Sequence, residues 1–157
     1  MDTSALRDAY DTFLHEAGAD AFGPDPSDGW GAQQVVAHMA VNDDLLTATT
    51  RQLLHGDPNP VYDNAPAQDP ATLDAFAESV GGMSGLIDAV RGGSEALIQL
   101  IEILDEQVAD TVVSVRIRDG DEYPIDGPAP WSRIIRAQHT AHLPAHTDQL
   151  RELRGYA

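Results

Sequence analysis

Cysteine and lysine are both absent from this 157-residue chain, and each absence removes a set of possibilities. Without cysteine there is no disulfide, no thiolate zinc site and no cysteine nucleophile. Any metal must then be held by His, Asp, Glu or water. Positive charge is scarce: nine arginines stand against 26 acidic residues, for a formal net charge of -17. A nucleic-acid partner is therefore not expected, because phosphate binding needs a basic face. Long apolar runs are missing too. Nothing approaches the roughly 18 residues of a membrane span, and the N-terminus lacks a basic segment followed by an apolar one. The reading is a cytoplasmic protein with no membrane association. No glycine-rich phosphate loop, serine nucleophile elbow or HExxH is present. The length suits one domain over residues 1–157, large enough to bury a core without staples.

Helical periodicity dominates what is there. Leu6, Ala9, Tyr10, Phe13, Leu14 and Ala17 recur at helical spacing over residues 2–17, with Asp2 or Thr3 as N-cap. A second helix is expected from Gly31 to about His55, with Val35, Val36, Met39, Leu45, Leu46, Leu53 and Leu54 inward, stopped by Gly56 and Pro58. Residues 57–70 read as a proline-rich connection, and Asp69-Pro70 as a helix start. Glycines at 81–82, 85 and 92–93 interrupt the next stretch, so a short helix and then a longer one to about Leu104 are expected. Val113, Val115 and Ile117 alternate with polar residues ahead of Asp119-Gly120, the pattern of a β-hairpin. The break at Gly127 to Pro130 should end it, and a final helix should run from Pro130 or Trp131 to Arg154. The fold class is thus all-α, four main helices with a small β-hairpin between the third and fourth.

Three of the six histidines, His139, His142 and His146, fall in the last helix at spacings of three and four. At about 100° per residue they share one face within roughly 60°. Imidazole is the commonest ligand for divalent transition metals. His38 shares the inward side of the second helix with Val35, and Asn42 stands one turn on. Arg136 and Arg133 precede the cluster by about one and two turns and could hold a carboxylate. Pro144 lies between His142 and His146, where it removes a backbone hydrogen bond and can kink the helix.

These segments resemble the DinB/YfiT-like superfamily of metal-binding four-helix bundles, including the N-terminal domain of mycothiol-dependent maleylpyruvate isomerases. Gly29-Trp30 followed by Val35, Val36, Ala37 and His38 is similar to the family's entry to helix two. His142, His146 and the Gln149-Leu150 pair resemble its helix-four signature. The resemblance implies His38, His142 and His146 as metal ligands; by their placement in this sequence, His139 and Asn42 are additional or supporting candidates and Arg136 and Arg133 candidates for a substrate contact. It further implies Zn²⁺ or Ni²⁺ with an open coordination position for a thiol cofactor, an electrophilic substrate and a possible homodimer. The lysine-free, alanine- and aspartate-rich composition points to a GC-rich source, for which mycothiol or a related thiol is the matching cofactor. The expected activity is metal-dependent thiol S-transfer; the alternatives are metal-dependent hydrolysis and a non-catalytic bundle that acts by binding. The isomerases carry a further C-terminal domain, so the full isomerase reaction is not expected.

Overall fold

The computed structural model describes residues 1–19 and 21–155. Four long helical segments carry the architecture. Helix α1 (Ser4–Ala17) buries Leu6, Tyr10, Phe13 and Ala17, one stripe at spacings of four, three and four. Helix α2 (Ala32–Leu54) is buried on several sides, because later helices and the sheet pack around it. After α2 the chain forms a short strand β1 (Val61–Asp63), one turn of helix α3 (Ala65–Gln68) and helix α4 (Pro70–Ser79). Asp69 caps α4, accepting a hydrogen bond from the Thr72 N–H at 3.0 Å, with Pro70 in the first turn. Gly81 and Gly82 both adopt positive φ (+85° and +83°), which separates α4 from α5 (Met83–Ile103).

A further turn of helix, α6 (Glu106–Ala109), leads to strands β2 (Val112–Asp119) and β3 (Glu122–Pro130). The sheet order is β1-β2-β3, with β1 parallel to β2 and β3 antiparallel to it; Val61 pairs with Ser114 and Val113 with Ala129. Two features differ from the sequence reading. The connection 57–70 contributes a third strand, which docks beside β2 because Tyr62 is pulled inward to the core. The hairpin also continues through Gly127 and Pro128 to Pro130. β3 pairs on one side only, and an edge strand tolerates proline on its unpaired side.

The last segment comprises α7 (Trp131–Ala137), a π-helical turn (Gln138–His142) and α8 (Leu143–Gly155). Pro144 does not break it. The Leu143 N–H reaches back to the carbonyl of Gln138 in the wider turn, and Pro144 sits in the first turn of α8. A missing donor is tolerated there. The bundle closes with α2 along α5 and α1 against α8. Trp131 is fully buried and donates its indole N–H to the Thr50 hydroxyl at 3.1 Å. Among the described residues no helix is long and apolar enough to cross a membrane.

Candidate metal centre

His38, in the middle of α2, meets His142 and His146 where the π turn passes into α8. The three rings lie 4.6 to 5.0 Å apart centre to centre, and each offers a ring nitrogen within 4.8 Å of the others. His38 is fully buried, while His142 and His146 are half-buried. Trp30, at the entry to α2, walls one side with its ring 4.9 Å from His38 and 6.3 Å from His146.

Each imidazole has an oxygen partner at Nδ1. His38 Nδ1–H donates to the Ala67 carbonyl at 2.7 Å, supplied by the single turn of α3. His142 Nδ1–H donates to Gln138 Oε1 and His146 Nδ1–H to Gln149 Oε1, both at 2.8 Å. A histidine that gives its Nδ1 proton to an oxygen keeps Nε2 as a lone pair, the usual second-layer arrangement around metal-ligating histidines. The pair His38 Nε2 and His142 Nε2 stand only 2.8 Å apart. With both Nδ1 atoms protonated, two lone pairs face each other, a repulsive contact that a cation between them converts to an attractive one.

The donor set fits a divalent ion. Metal–nitrogen bonds of about 2.0–2.1 Å place ligand nitrogens about 3.3 Å apart around a tetrahedral ion. The 2.8 Å contact and the 4.8 Å outer limit bracket that spacing. Charge favours it as well. Burial, then the neighbouring His146, pushes His38 down to about 3 despite the Ala67 carbonyl. Burial together with His38 and His146 holds His142 well below the usual histidine range. Burial lowers His146, opposed by Gln149 and Asp119. All three are neutral at pH 7, the form that binds metal.

Behind His142 a polar chain enters the core. The Gln138 amide N–H donates to the Tyr10 hydroxyl at 3.3 Å, and that hydroxyl donates to Asp43 Oδ1 at 2.5 Å. Asn42 donates weakly to Gln138 Oε1 at 3.5 Å and accepts from the Tyr62 hydroxyl at 2.5 Å. Asn42 thus reaches the histidine cluster only by way of Gln138. His139 instead lines a separate hollow of ≈ 280 Å³ with Arg136, Met1 and Leu6. Arg133 is exposed at the surface of α7 and lies outside the lining of the cavity beside the centre.

That cavity, ≈ 370 Å³, opens from His142 and His146 toward the hairpin, lined by Trp30, Tyr62, Ile117 and Ile134 with Arg118 and Asp119. Two larger surface hollows, ≈ 500 and ≈ 550 Å³, lie around Phe22 and Met83 and around Gln34 and Gly82; neither has a histidine in its lining. The arginine at the cavity is therefore Arg118, on a strand the sequence offered no reason to connect with helix four. Gln138 could have been found: it stands four residues before His142, on the same helical face. Tyr10 and Asp43 carry no such signal.

Fold and site together define a helical bundle with a three-histidine cluster at the base of a cavity. A crystal structure of a mycothiol-dependent maleylpyruvate isomerase, solved as a histidine-to-alanine mutant, has the same fold, with a TM-score of 0.69 and 14% sequence identity. The match covers 94% of this chain and 58% of that one, so this chain spans less than two thirds of the other's length. The likeness shows that this chain shares that isomerase's fold, here a helical bundle with a small three-stranded sheet. No protein-family model and no curated protein matches the sequence.

Proposed function

We propose that this chain is a metal-dependent enzyme that holds one Zn²⁺ or Ni²⁺ on His38, His142 and His146 and transfers a small thiol of the mycothiol type to an electrophile. The observation that carries the reading is the three Nε2 lone pairs, each secured by an oxygen on Nδ1, converging beside a ≈ 370 Å³ cavity. A divalent ion on three imidazoles keeps a position open and supplies a Lewis acid that favours the deprotonated form of a bound thiol or water. The isomerase of like fold is mycothiol-dependent, which supports a thiol over water as the occupant. Trp30 shields the histidines from solvent on one side. Tyr62, Ile117 and Ile134 give the cavity apolar walls for the body of a substrate, and Arg118 presents a cation to an anionic group.

The first experiment is metal content by elemental mass spectrometry, after loading with Zn²⁺ or Ni²⁺ and desalting. About one ion per chain is expected, lost in His38→Ala and His146→Ala with helical content retained. His139→Ala should lose far less than His142→Ala, since His139 faces a different hollow. Retention in the His38 and His146 variants would refute the ligand set. With the ion in place, consumption of mycothiol by a chromogenic electrophile is the activity readout. A loaded protein that consumes no thiol yet hydrolyses esters or amides moves the reading to metal-dependent hydrolysis. One inert in both assays moves it to a binding protein.

A further inference from the structure

The core side of the centre contains an arrangement that metal ligation by itself does not require. Asp43 is fully buried in the middle of α2, with its Oδ1 against the Tyr10 hydroxyl of α1 and its Oδ2 buried without a hydrogen-bond partner. From α5 it meets Gly93; a Cβ there would stand 3.5 Å from the Asp43 Cβ, so a bulkier residue would crowd the carboxyl. Asp44 on its own helix raises it further, Asp43 in turn raises the Tyr62 hydroxyl of β1, and no cation is among the groups that shift Asp43. Burying a carboxyl without a counter-charge is unfavourable.

We propose that Asp43, Tyr10 and Gln138 are positioning residues for the metal, because the direction of their hydrogen-bond chain selects which nitrogen of His142 is free to ligate. The direction follows from donor and acceptor capacity alone. Tyr10 has one proton, and Asp43 Oδ1 takes it. The Tyr10 oxygen must then accept, so the Gln138 amide turns its NH₂ toward Tyr10. That leaves Gln138 Oε1 facing His142 Nδ1, which becomes the protonated nitrogen. Nε2 is left as a lone pair aimed at His38 and His146. Burial raises the Asp43 carboxyl well above its ordinary range, and Oδ1 is the atom set against the Tyr10 hydroxyl as its acceptor. In the opposite direction Tyr10 donates to Gln138, the amide NH₂ faces His142 Nδ1, and the proton moves to Nε2, where it blocks ligation. Only an acceptor at position 43 separates the two directions.

The inference rests on the metal-binding reading above, and substitutions test it separately. Asp43→Leu removes the acceptor at similar size, so Tyr10 turns its proton toward Gln138 and the chain reverses. Gln138→Glu places a carboxylate that accepts from His142 and from Tyr10 together, which makes the direction independent of position 43. Zn²⁺ affinity is measured by competition with a chromophoric chelator, and folding by circular dichroism and thermal melting. Asp43→Leu should weaken Zn²⁺ binding by about 10–100-fold, the usual cost of disturbing a ligand's supporting partner. Gln138→Glu should stay within a few-fold of the parent, and the Asp43→Leu/Gln138→Glu double variant should match Gln138→Glu. Tyr10→Phe, which frees the amide without reversing it, serves if Asp43→Leu does not fold. It should lose affinity by a smaller factor, again restored by Gln138→Glu. Unchanged affinity in both Asp43→Leu and Tyr10→Phe overturns the inference. So does an equal loss with Gln or Glu at 138, which is the mark of a merely structural effect. A parent protein that takes up no Zn²⁺ fails the metal-binding reading itself, a result distinguishable from either.

Discussion

Replacing His38 by asparagine should remove a defined part of the protein's sensitivity to acid. Asparagine can still donate to the Ala67 carbonyl, as His38 Nδ1 does at 2.7 Å, but it does not titrate. In the unfolded chain a histidine ionises near 6.5, whereas the folded environment holds His38 at about 3. The folded state thus binds fewer protons between those values, and stability falls as pH falls below about 6.5. Each unit is worth about 1.4 kcal/mol, so His38 contributes a loss of about 2 kcal/mol between pH 7 and pH 5. His142, held well below its usual range, acts in the same direction. Asp43 acts oppositely: its carboxyl is raised, so the folded state holds a proton that the unfolded state has lost above about 3.8. The absolute pH profile is therefore a difference of opposed contributions, and the variant isolates one of them. The assay is urea denaturation of metal-free protein in EDTA at pH 7 and pH 5, for the parent and His38→Asn. The parent should lose about 2 kcal/mol more than the variant over that interval. Equal losses would refute the argument that His38 is folded in its neutral form.

Other substitutions test the scaffold. Glu16, only 12% exposed, bridges Arg151 at 3.0 Å and contacts Arg154, tying α1 to α8. Glu16→Ala should cost about 1–3 kcal/mol in urea denaturation, below the figure for a fully buried pair because solvent screens Arg151. A loss under about 0.5 kcal/mol would mean the cluster is ordinary surface charge. Gly93→Ala and Gly85→Ala should diverge in sign. At Gly93 an added Cβ makes ordinary contact with Asp43, and the helix-forming gain of about 0.5–1 kcal/mol should raise the melting temperature. At Gly85 the Cβ would run into the Val80 carbonyl, so the melting temperature should fall. Matching signs would refute the packing between α2, α5 and the turn after α4.

The four helices were legible because their apolar residues repeat at helical spacing, and a half-buried helix cannot be built without that repeat. Leu6, Tyr10, Phe13 and Ala17 face inward in the structure as their spacing requires. The Asp119-Gly120 turn was legible for a similar local reason: Gly120 adopts φ +57° between the two strands. Strand β1 was not, because three residues among prolines carry no period, and only the open edge of β2 gives them a place. Pro144 shows the limit from the other side. Its chemistry forbids one hydrogen bond, but whether the helix breaks or widens depends on the neighbouring turn, which here reaches from Leu143 to Gln138.

For the site, the sequence by itself determined which side chains could bind metal. With no cysteine present, ligands had to come from His, Asp, Glu or water, and His142 and His146, one helical turn apart, were the pair that spacing brought together. Tertiary structure decided which imidazoles meet. His139 shares a helix face with the others, yet it faces a hollow with Arg136, while His38 arrives from 104 residues away to within 2.8 Å of His142. Tertiary structure also decided the protonation pattern. The Ala67 carbonyl reaches His38, and the Tyr10–Asp43 pair reaches Gln138, through hydrogen bonds across separate elements. A hydrogen bond depends on distance and direction in space, and neither is encoded in residue type or spacing along the chain.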